Sequence, residues 1–300
     1  MSAPTAAPSH DGIAGVYKPQ PVDVPTPRVR GAAAGIGGAA EDLTPLERAE
    51  RFRQIREGTL GSIHSWELVT AVDGPGTRMT MFMSGCPLRC VYCHNPDTFQ
   101  MKDGTMQSLS DIVDRIRRYR KIFRATKGGV TISGGEPLFQ TPFVRNVLRA
   151  CKEMGVHTCV DTSGFLGARA DDAMLDDVDL FLLDVKSGIP EIYKKVTERD
   201  LEPTIAFGDR LAARGNKIWI RFVLVPGWTD SVENVEAVAD IVARWKNVVE
   251  RVEVLPFHNM GQDKWENLGL DYKLVGLTPP DTDTVKRVRE QFRSRGLTVF

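Results

Sequence analysis

Three cysteines within eight residues form the densest group of reactive side chains in this sequence. Cys86, Cys90 and Cys93 lie in the run GCPLRCVYCHN, so their thiolates can bind one inorganic centre without help from distant segments. A structural zinc site needs four ligands, and the adjacent Cys93 and His94 would both have to reach one tetrahedral ion. Three thiolates on a cubane iron–sulfur cluster leave one iron without a protein ligand. The spacing therefore favours a cluster with an open position, where a substrate can bind.

The overall composition narrows the class of protein. Cys151 and Cys159 lie in apolar runs and are predicted to be buried free thiols, and disulfides are not expected because no secretory segment begins the chain. The 39 acidic and 39 basic residues balance, so no net charge attracts nucleic acid or an anionic membrane. No apolar run approaches the roughly 20 residues that span a bilayer. We therefore expect a cytoplasmic protein without a nucleic-acid or membrane partner.

The N-terminal part of the chain differs in amino-acid composition from the rest. Residues 1–42 are rich in Pro, Ala and Gly and are predicted to be disordered. A short helix is predicted over 44–57, where Thr44 and Glu47 can form a capping box and Gly58 can end the helix. Residues 1–60 are therefore interpreted as an extension, and residues 61–300 as one core domain.

Strands and helices alternate regularly in this core. Apolar, β-rich runs occur at TRMTMFMS, GGVTIS, VHTCVDT, VDLFLLDVK, KIWIRFVLV and RVEVLPF, with LTVF as a predicted final strand. Helical patterns separate these runs, which predicts parallel βα units and an α/β fold. Six units are too few for an eight-unit barrel, so we expect a partial (β/α)6 barrel of the TIM type.

Polar residues occur at the ends of all six predicted strands. In parallel α/β folds the functional sites form at the carboxyl ends of the strands, so we expect these residues on one face. The six groups, in chain order, are the cysteine loop, Ser133–Pro137, Asp161–Gly164, Asp184–Lys186, Arg221 within the fifth strand, and His258. Because an unpaired buried arginine is costly, Arg221 is expected to have a carboxylate partner.

Two of these groups together resemble the radical S-adenosylmethionine (SAM) superfamily. Its mark is the C-x3-C-x2-C loop with an aromatic residue before the last cysteine, here Tyr92, and Gly134-Gly135-Glu136-Pro137 matches its second motif. The resemblance implies that Cys86, Cys90 and Cys93 hold a [4Fe-4S] cluster. It also implies that the Gly-Gly-Glu turn holds the amino end of the methionine part of SAM.

Longer motifs resemble a narrower family, the pyruvate formate-lyase activating enzymes, which are glycyl-radical activases. The motifs are VDGPGTR, YCHN, GGVTISGGEP, HTCVDTSGF, LLDVK, VPGWTD, LPFHNMGQDKW and YKL, and they cover nearly all of residues 61–300. Many activases of other substrates carry a cysteine-rich, ferredoxin-like insert, but no cysteine lies between Cys93 and Cys151 here. Two alternatives stay open: an activase of another glycyl-radical enzyme, and a non-catalytic electron-transfer protein, which would need a fourth cysteine ligand.

The resemblance implies a reaction and its partners. The reduced cluster would cleave SAM into methionine and a 5′-deoxyadenosyl radical, which would abstract a hydrogen from a backbone glycine of pyruvate formate-lyase. Reduced flavodoxin or ferredoxin would supply the electron. The turn Asp73–Gly76 is expected to shape the rim that admits the glycine loop.

The resemblance also assigns roles to individual residues. The implied SAM contacts are Tyr92, Cys93, His94, Gly134, Gly135, Glu136, Asp184, Val185, Lys186, Arg221 and His258. Tyr92 would stack on adenine or only pack over the cluster, while Asp184 and Lys186 would otherwise form a surface ion pair. Arg221 would meet the methionine carboxylate. Asp161, Thr162 and Asp184 resemble a monovalent-cation site.

Overall fold

The computed structural model describes residues 43–70 and 72–300, so the predicted disorder of residues 1–42 lies outside the described residues. One eight-stranded sheet organises this part of the chain. Its strands are β1 (Leu60–Thr70), β2 (Arg78–Met83), β3 (Thr105–Ser108), β4 (Gly129–Gly134), β5 (His157–Thr162), β6 (Leu180–Asp184), β7 (Ile218–Leu224) and β8 (Val249–Pro256). The spatial order is β3-β1-β2-β4-β5-β6-β7-β8.

Six of the strands run parallel and follow one another in chain order. β2, β4, β5, β6, β7 and β8 pair in this way, whereas β1 pairs antiparallel with both β2 and β3. The outer strands β3 and β8 do not pair with each other in the described sheet, so the barrel stays open. The predicted partial (β/α)6 barrel is confirmed.

Nine α-helices belong to the described residues. They are α1 (Pro45–Glu57), α2 (Leu109–Thr126), α3 (Thr141–Glu153), α4 (Asp172–Asp176), α5 (Pro190–Thr197), α6 (Glu202–Arg214), α7 (Val232–Ala243), α8 (Gln262–Asn267) and α9 (Thr282–Arg293). The predicted Thr44–Glu47 capping box is present, and Gly58 ends α1 with a φ of 71°. Asn146 of α3 donates to the carbonyls of Glu57 and Gly58 at 2.9 and 3.0 Å, so the end of α1 contacts the barrel.

The alternation of side chains along each strand explains where the core and the site lie. In β4, Val130 and Ile132 belong to the main core between sheet and helices, whereas Thr131 and Ser133 point to the other face. β7 repeats the pattern, since Ile220 joins the same core while Arg221 faces the barrel lumen. Because side chains alternate between the two faces of each strand, one face forms an apolar packing layer and the other forms a polar lumen.

Some elements differ from the sequence prediction. β1, β3, α5 and α8 were not predicted: the second half of β1 is partly exposed, and the others are only four to eight residues long. The run LTVF forms a single bridge, between Val299 and Val252, instead of a strand. Among the described residues no helix is long and apolar enough to cross a membrane.

Candidate active site at the carboxyl ends of the strands

A cavity of about 330 Å³ opens at the carboxyl ends of the parallel strands. Its volume lies at the lower end of the range typical of small-molecule sites. Each parallel strand contributes a lining residue, in order Phe82, Ser133, Asp161, Asp184, Arg221 and Leu255. The cysteine loop and the Gly-Gly-Glu turn complete the wall. The structure thus brings together most of the groups that the strand ends predicted.

All three cluster cysteines line this cavity, and their thiols are free. Backbone bonds hold the loop, with the Cys86 N–H donating to the Phe99 carbonyl at 3.1 Å and the Trp265 indole donating to the Cys93 carbonyl at 2.8 Å. Burial raises the pKa of the Cys93 thiol to about 12. A thiolate at this depth therefore needs a cation beside it, which iron provides.

The cysteines are not arranged around one metal ion. Within residues 43–70 and 72–300, no group of three His, Cys, Asp or Glu side chains could hold a single ion. A structural zinc ion requires that convergence, whereas a cubane cluster binds each thiolate at a different iron. The donor set therefore fits an iron–sulfur cluster. Cys151 and Cys159 are fully buried free thiols outside the cavity lining, as predicted, and offer no fourth ligand there.

The Gly-Gly-Glu turn packs directly against the cysteine loop. Gly134 has a φ of 110°, and a Cβ there would lie 2.2 Å from the Met83 nitrogen. A Cβ on Gly135 would lie 2.5 Å from the carbonyl oxygen of Gly85. Both glycines are thus required for close packing of the turn against β2 and the cysteine loop. The implied contact of Gly135 with SAM stays a prediction.

Glu136 is buried, and its carboxylate is fully engaged within the chain. Oε1 accepts from the Thr162 hydroxyl at 2.6 Å and from the Leu138 N–H at 3.1 Å. Oε2 accepts from the Ser163 hydroxyl at 2.6 Å and the Ser163 N–H at 3.0 Å. Four bonds use the accepting capacity of the carboxylate. Glu136 therefore ties the glycine turn to the end of β5, and its side chain has no free lone pair for a ligand.

Arg221 meets three carboxylates. Its guanidinium lies 3.1 Å from Asp161, 3.3 Å from Glu253 and 3.4 Å from Asp73, and it donates to the Val72 carbonyl at 2.8 Å. Burial works against its charge, but these carboxylates, Asp161 foremost, raise its pKa. The expected carboxylate partner is therefore a set of three from the protein itself.

Asp161 is the member of this set with spare binding capacity. Its Oδ2 accepts from Ser133 at 2.6 Å and from Arg221, whereas its buried Oδ1 has no partner among the described residues. Burial raises the pKa of Asp161 to about 6, although Arg221 opposes the rise. An unpaired buried carboxylate oxygen on a cavity wall is suited to a cationic or hydrogen-bond-donating ligand.

Lys186 and Asp184 form an ion pair, but not on the surface. Their side chains are 10% and 23% exposed, and the Nζ–Oδ2 distance is 2.9 Å. Burial acts against the charge of Lys186, yet Asp184 and the phenol group of Tyr92 raise its pKa overall. Tyr92 lies 5.7 Å from the ammonium group, and its buried hydroxyl has no partner among the described residues. The choice between adenine stacking and packing for Tyr92 stays a prediction.

The predicted histidines lie beside each other at the edge of the site. The His94 and His258 rings are 4.2 Å apart, and His94 Nε2 lies 3.2 Å from the His258 carbonyl oxygen. Burial and the neighbouring His258 lower the pKa of His94. His94 lines the cavity, whereas His258 and the buried Val185 do not. The implied SAM contacts of these last two residues stay predictions.

The sequence indicated two further lining residues only as members of longer segments, and it missed Glu253. Asp73 was expected at the rim and also lines the cavity, and Ser163 of the Asp161–Gly164 group lines it while holding Glu136. Glu253 lies behind the wall and links Arg221 to Arg251. Only the β8 alternation, which points Glu253 to the same face as Leu255, could have indicated that residue.

The ionisable side chains around the cavity are predominantly acidic. Asp73, Glu136, Asp161 and Asp184 line it, against the two cations Lys186 and Arg221. An acidic excess suits a ligand of net positive charge, because a buried charge needs compensation. SAM carries a sulfonium and an ammonium group against one carboxylate. The lining therefore fits SAM in charge as the thiols fit the cluster.

Comparison with known proteins finds a matching family model and similar enzymes that agree with each other. The family model of the radical SAM superfamily matches residues 80–240. Pyruvate formate-lyase 1-activating enzyme of Escherichia coli (strain K12) is 41% identical over 233 residues, which cover 77% of this chain and 94% of that protein. Pyruvate formate-lyase-activating enzyme of Clostridium pasteurianum is 41% identical over 234 residues, covering 78% and 98% respectively.

A solved structure supports the fold. A radical SAM methyltransferase from Sphaerobacter thermophilus is similar with a TM-score of 0.55 and 18% identity, covering 87% of this chain and 82% of that one. At this identity the likeness concerns the fold alone. The sequence matches extend over most of the chain and over nearly all of the two activating enzymes. The chain therefore belongs to the radical SAM superfamily and, within it, to the family of pyruvate formate-lyase activating enzymes.

Proposed function

We propose that this chain activates pyruvate formate-lyase by generating a glycyl radical on it. The cofactors are a [4Fe-4S] cluster and SAM, which when bound supply a 5′-deoxyadenosyl radical that abstracts the glycine hydrogen. The observation that carries the proposal is the cavity in which three free thiols, the glycine turn and an acidic excess meet. The protein's part is to bind, orient and shield these groups.

Cys86, Cys90 and Cys93 would hold the cluster. Among the described residues, the cavity lining contains no cysteine besides these three. This arrangement supports a cluster with an open iron, and it disfavours the non-catalytic electron-transfer alternative. That alternative requires a complete ligand set from the protein.

Different parts of the wall would hold the amino and carboxylate groups of the methionine part of SAM. Asp161 Oδ1 is free to accept from the amino group, and Lys186 presents an ammonium to the carboxylate. Arg221 would act partly through Asp161, because its own charge is already balanced by protein carboxylates. Glu136 would keep the glycine turn in place, and His258 would support His94.

The cation site remains part of the proposal. Asp161 and Asp184 both line the cavity, and the Thr162 hydroxyl donates to Glu136 while accepting from the Gly164 N–H at 3.0 Å. One hydroxyl lone pair is thus left for a cation, beside the free oxygen of Asp161. Hard oxygen ligands of this kind suit a hard monovalent ion.

The glycine loop would enter beside the Asp73–Gly76 turn, since Asp73 lines the cavity and Val72 is 69% exposed. Reduced flavodoxin or ferredoxin would deliver the electron to the cysteine loop. A radical this reactive requires its target at near-contact distance before it forms. Binding of the protein substrate and delivery of the electron are therefore expected to be coupled.

The test mixes the anaerobically reconstituted chain, a reductant and SAM with pyruvate formate-lyase. We expect a glycyl-radical signal in electron paramagnetic resonance (EPR), which appears together with one 5′-deoxyadenosine per radical. A panel of other glycyl-radical enzymes is the control. A signal with one of those, and none with pyruvate formate-lyase, would assign the chain to the alternative activase function.

A further inference from the structure

Helix α2 carries a concentration of positive charge that the active site does not use. Residues 117–127 (RRYRKIFRATK) contain six basic and no acidic residues, in a chain whose total charge is balanced. The basic face is defined by the exposed cations Arg118, Arg120, Lys121, Arg124 and Lys127. None of these five makes an ion pair with a described residue, whereas the neighbouring Arg117 pairs with Asp114.

The spacing of these cations is unfavourable for the isolated helix. Arg120 and Arg124 are four residues apart, as are Arg117 and Lys121, so their charges lie side by side on adjacent turns. Like charges at this spacing destabilise a helix by a few tenths of a kcal/mol per pair. The opposite face, with Ile112, Ile116 and Phe123, is buried against the barrel. The basic face therefore points outward with its repulsion uncompensated, and an acidic surface would relieve it.

The position of the basic face in the fold relates it to the border of the cavity. α2 ends where β4 begins, and the Gly129 N–H donates to the Thr77 carbonyl at 3.2 Å. A Cβ on Gly76 would lie 2.5 Å from the Thr126 carbonyl oxygen, so the 72–78 loop packs against the end of α2. The same loop lines the cavity with Asp73 and contacts Arg221 through the Val72 carbonyl. One continuous segment thus connects the basic face with the cavity.

The electron donor is a poorer match for this surface. The cysteine loop follows β2, whereas the C-terminal end of α2 lies at the start of β2, where Arg78 pairs with Gly129. Five residue steps at roughly 3.3 Å separate these levels by about 17 Å. The 72–78 loop packs against this end of α2 and also borders the cavity through Asp73. A protein that inserts its glycine beside this loop would therefore lie next to the basic face, whereas a donor at the cysteine loop would lie farther from it. The geometry favours the protein substrate.

We propose that the basic face of α2 docks an acidic surface of the protein that carries the target glycine. This inference rests on the proposed function, because the occupant is the protein substrate named there. Charges at the rim of an interface mainly raise the association rate and confer salt dependence. The basic face would thus capture and orient the large substrate before its glycine enters the cavity.

The test compares two double charge reversals of equal size in the full chain with its cluster. Arg120→Glu with Arg124→Glu alters the basic face, and Lys286→Glu with Arg293→Glu alters the exposed side of α9. We expect the first variant to raise the KM for pyruvate formate-lyase about tenfold at low salt. The difference should shrink at about 0.5 M salt, where screening reaches only roughly 4 Å. Arg120→Lys with Arg124→Lys should resemble the wild type.

Two further readouts separate the possible outcomes. SAM cleavage without the protein substrate should be unchanged in all variants, which shows that folding and cofactor binding are intact. An unchanged KM, or a KM raised equally in the α9 variant, would overturn the docking proposal. An effect seen with a protein electron donor but not with dithionite would assign the face to the donor and overturn it also. A wild-type chain without activity on pyruvate formate-lyase would instead overturn the proposed function and, with it, this occupant.

Discussion

Two arginines in the barrel lumen have opposite surroundings. Arg78, at the amino ends of the strands, is fully buried and donates to neutral oxygens: the Thr131 hydroxyl at 2.5 Å, the Val130 carbonyl at 2.5 Å and the Pro75 carbonyl at 3.0 Å. Arg221, at the carboxyl ends, lies among three carboxylates. Burial lowers the pKa of Arg78, whereas the carboxylates raise that of Arg221.

The difference separates a structural region from a binding region. The donors of Arg78 are used by buried oxygens of the protein itself, so this end of the barrel needs no ligand to satisfy them. Around Arg221 the carboxylates exceed the cations, and one oxygen of Asp161 has no partner among the described residues. The same lumen therefore has one end that stabilises the fold and one end prepared for a ligand.

The largest difference is expected between two cysteine substitutions, one at each end of the barrel lumen. Cys93→Ala should remove the cluster and lower reductive SAM cleavage by more than about a hundredfold, because a cubane needs all three thiolates. Cys159→Ala, in the lumen below the site, should retain the cluster and cost only about 1 kcal/mol of unfolding free energy. Iron content and 5′-deoxyadenosine yield are the measurements. Cleavage that persists in Cys93→Ala would refute the assignment of this loop.

Substitutions of the two arginines are expected to affect different properties, stability for Arg78 and SAM affinity for Arg221. Arg78→Met should lower the free energy of unfolding by about 2–3 kcal/mol, because several buried oxygens lose their donor. Its SAM affinity should stay within about twofold of the wild type. Arg221→Met should weaken SAM binding at neutral pH about tenfold, because Arg221 opposes the high pKa of Asp161. Denaturant titration and anaerobic SAM titration measure the two effects. A larger loss of affinity in Arg78→Met would reverse the comparison.

The pH dependence of SAM binding sharpens the comparison further. The pKa of Asp161 is raised to about 6, so this carboxyl is protonated below that pH and cannot receive the amino group as an anion. We expect SAM affinity to fall as the pH drops through 6, and Asp161→Asn to remove this dependence. The effect on stability has the opposite sign. A folded-state pKa above the unfolded value gives a contribution that is present at low pH and is lost as the pH rises through 6.

Asp179 provides the matched control at the amino end. It accepts from the Thr158 N–H at 2.9 Å, and its pKa is lowered in spite of burial by this bond and by Lys152. Asp179→Asn should therefore reduce stability above the unfolded pKa of Asp179 and leave the pH profile of SAM binding unchanged. A profile that is the same in the wild type and in Asp161→Asn would exclude Asp161 as the titrating group.

The smallest expected effects come from two hydroxyls on β4. Ser133 donates to Asp161 and holds its pKa down, so Ser133→Ala should move the midpoint of the SAM-binding pH profile modestly upward. Thr131 accepts from Arg78, so Thr131→Val should cost about 1–2 kcal/mol of stability without moving that midpoint. Two positions on one strand would then report separately on the two ends of the lumen. Equal shifts of the midpoint would show that the ends are coupled.

The parts of the fold that could be predicted are those with strong local signals. The six parallel strands are apolar and bounded by turns, and the cysteine loop is contiguous, so both were recognisable. β1 was missed because its second half is exposed, and β3 because four residues carry little periodicity. The single bridge of Val299 shows that a β-rich run without a full set of partners does not become a strand.

The residue types of the site could be predicted from the sequence, but the contacts between those residues could not. The sequence indicated that Arg221 needs an anion, yet Asp73, Asp161 and Glu253 are 148, 60 and 32 positions away along the chain. Their meeting depends on the register of β7 against β8 and on the path of the 72–78 loop. Likewise, the sequence singled out Gly135, but its close contact with the Gly85 carbonyl arises only in the folded chain.

An anaerobic crystal structure of the reconstituted chain with SAM is the most direct test of the central claim. We predict a [4Fe-4S] cluster held only by Cys86, Cys90 and Cys93, with SAM in the cavity lined by Asp161 and Lys186. A fourth protein ligand on the cluster, or SAM bound outside this cavity, would contradict the account.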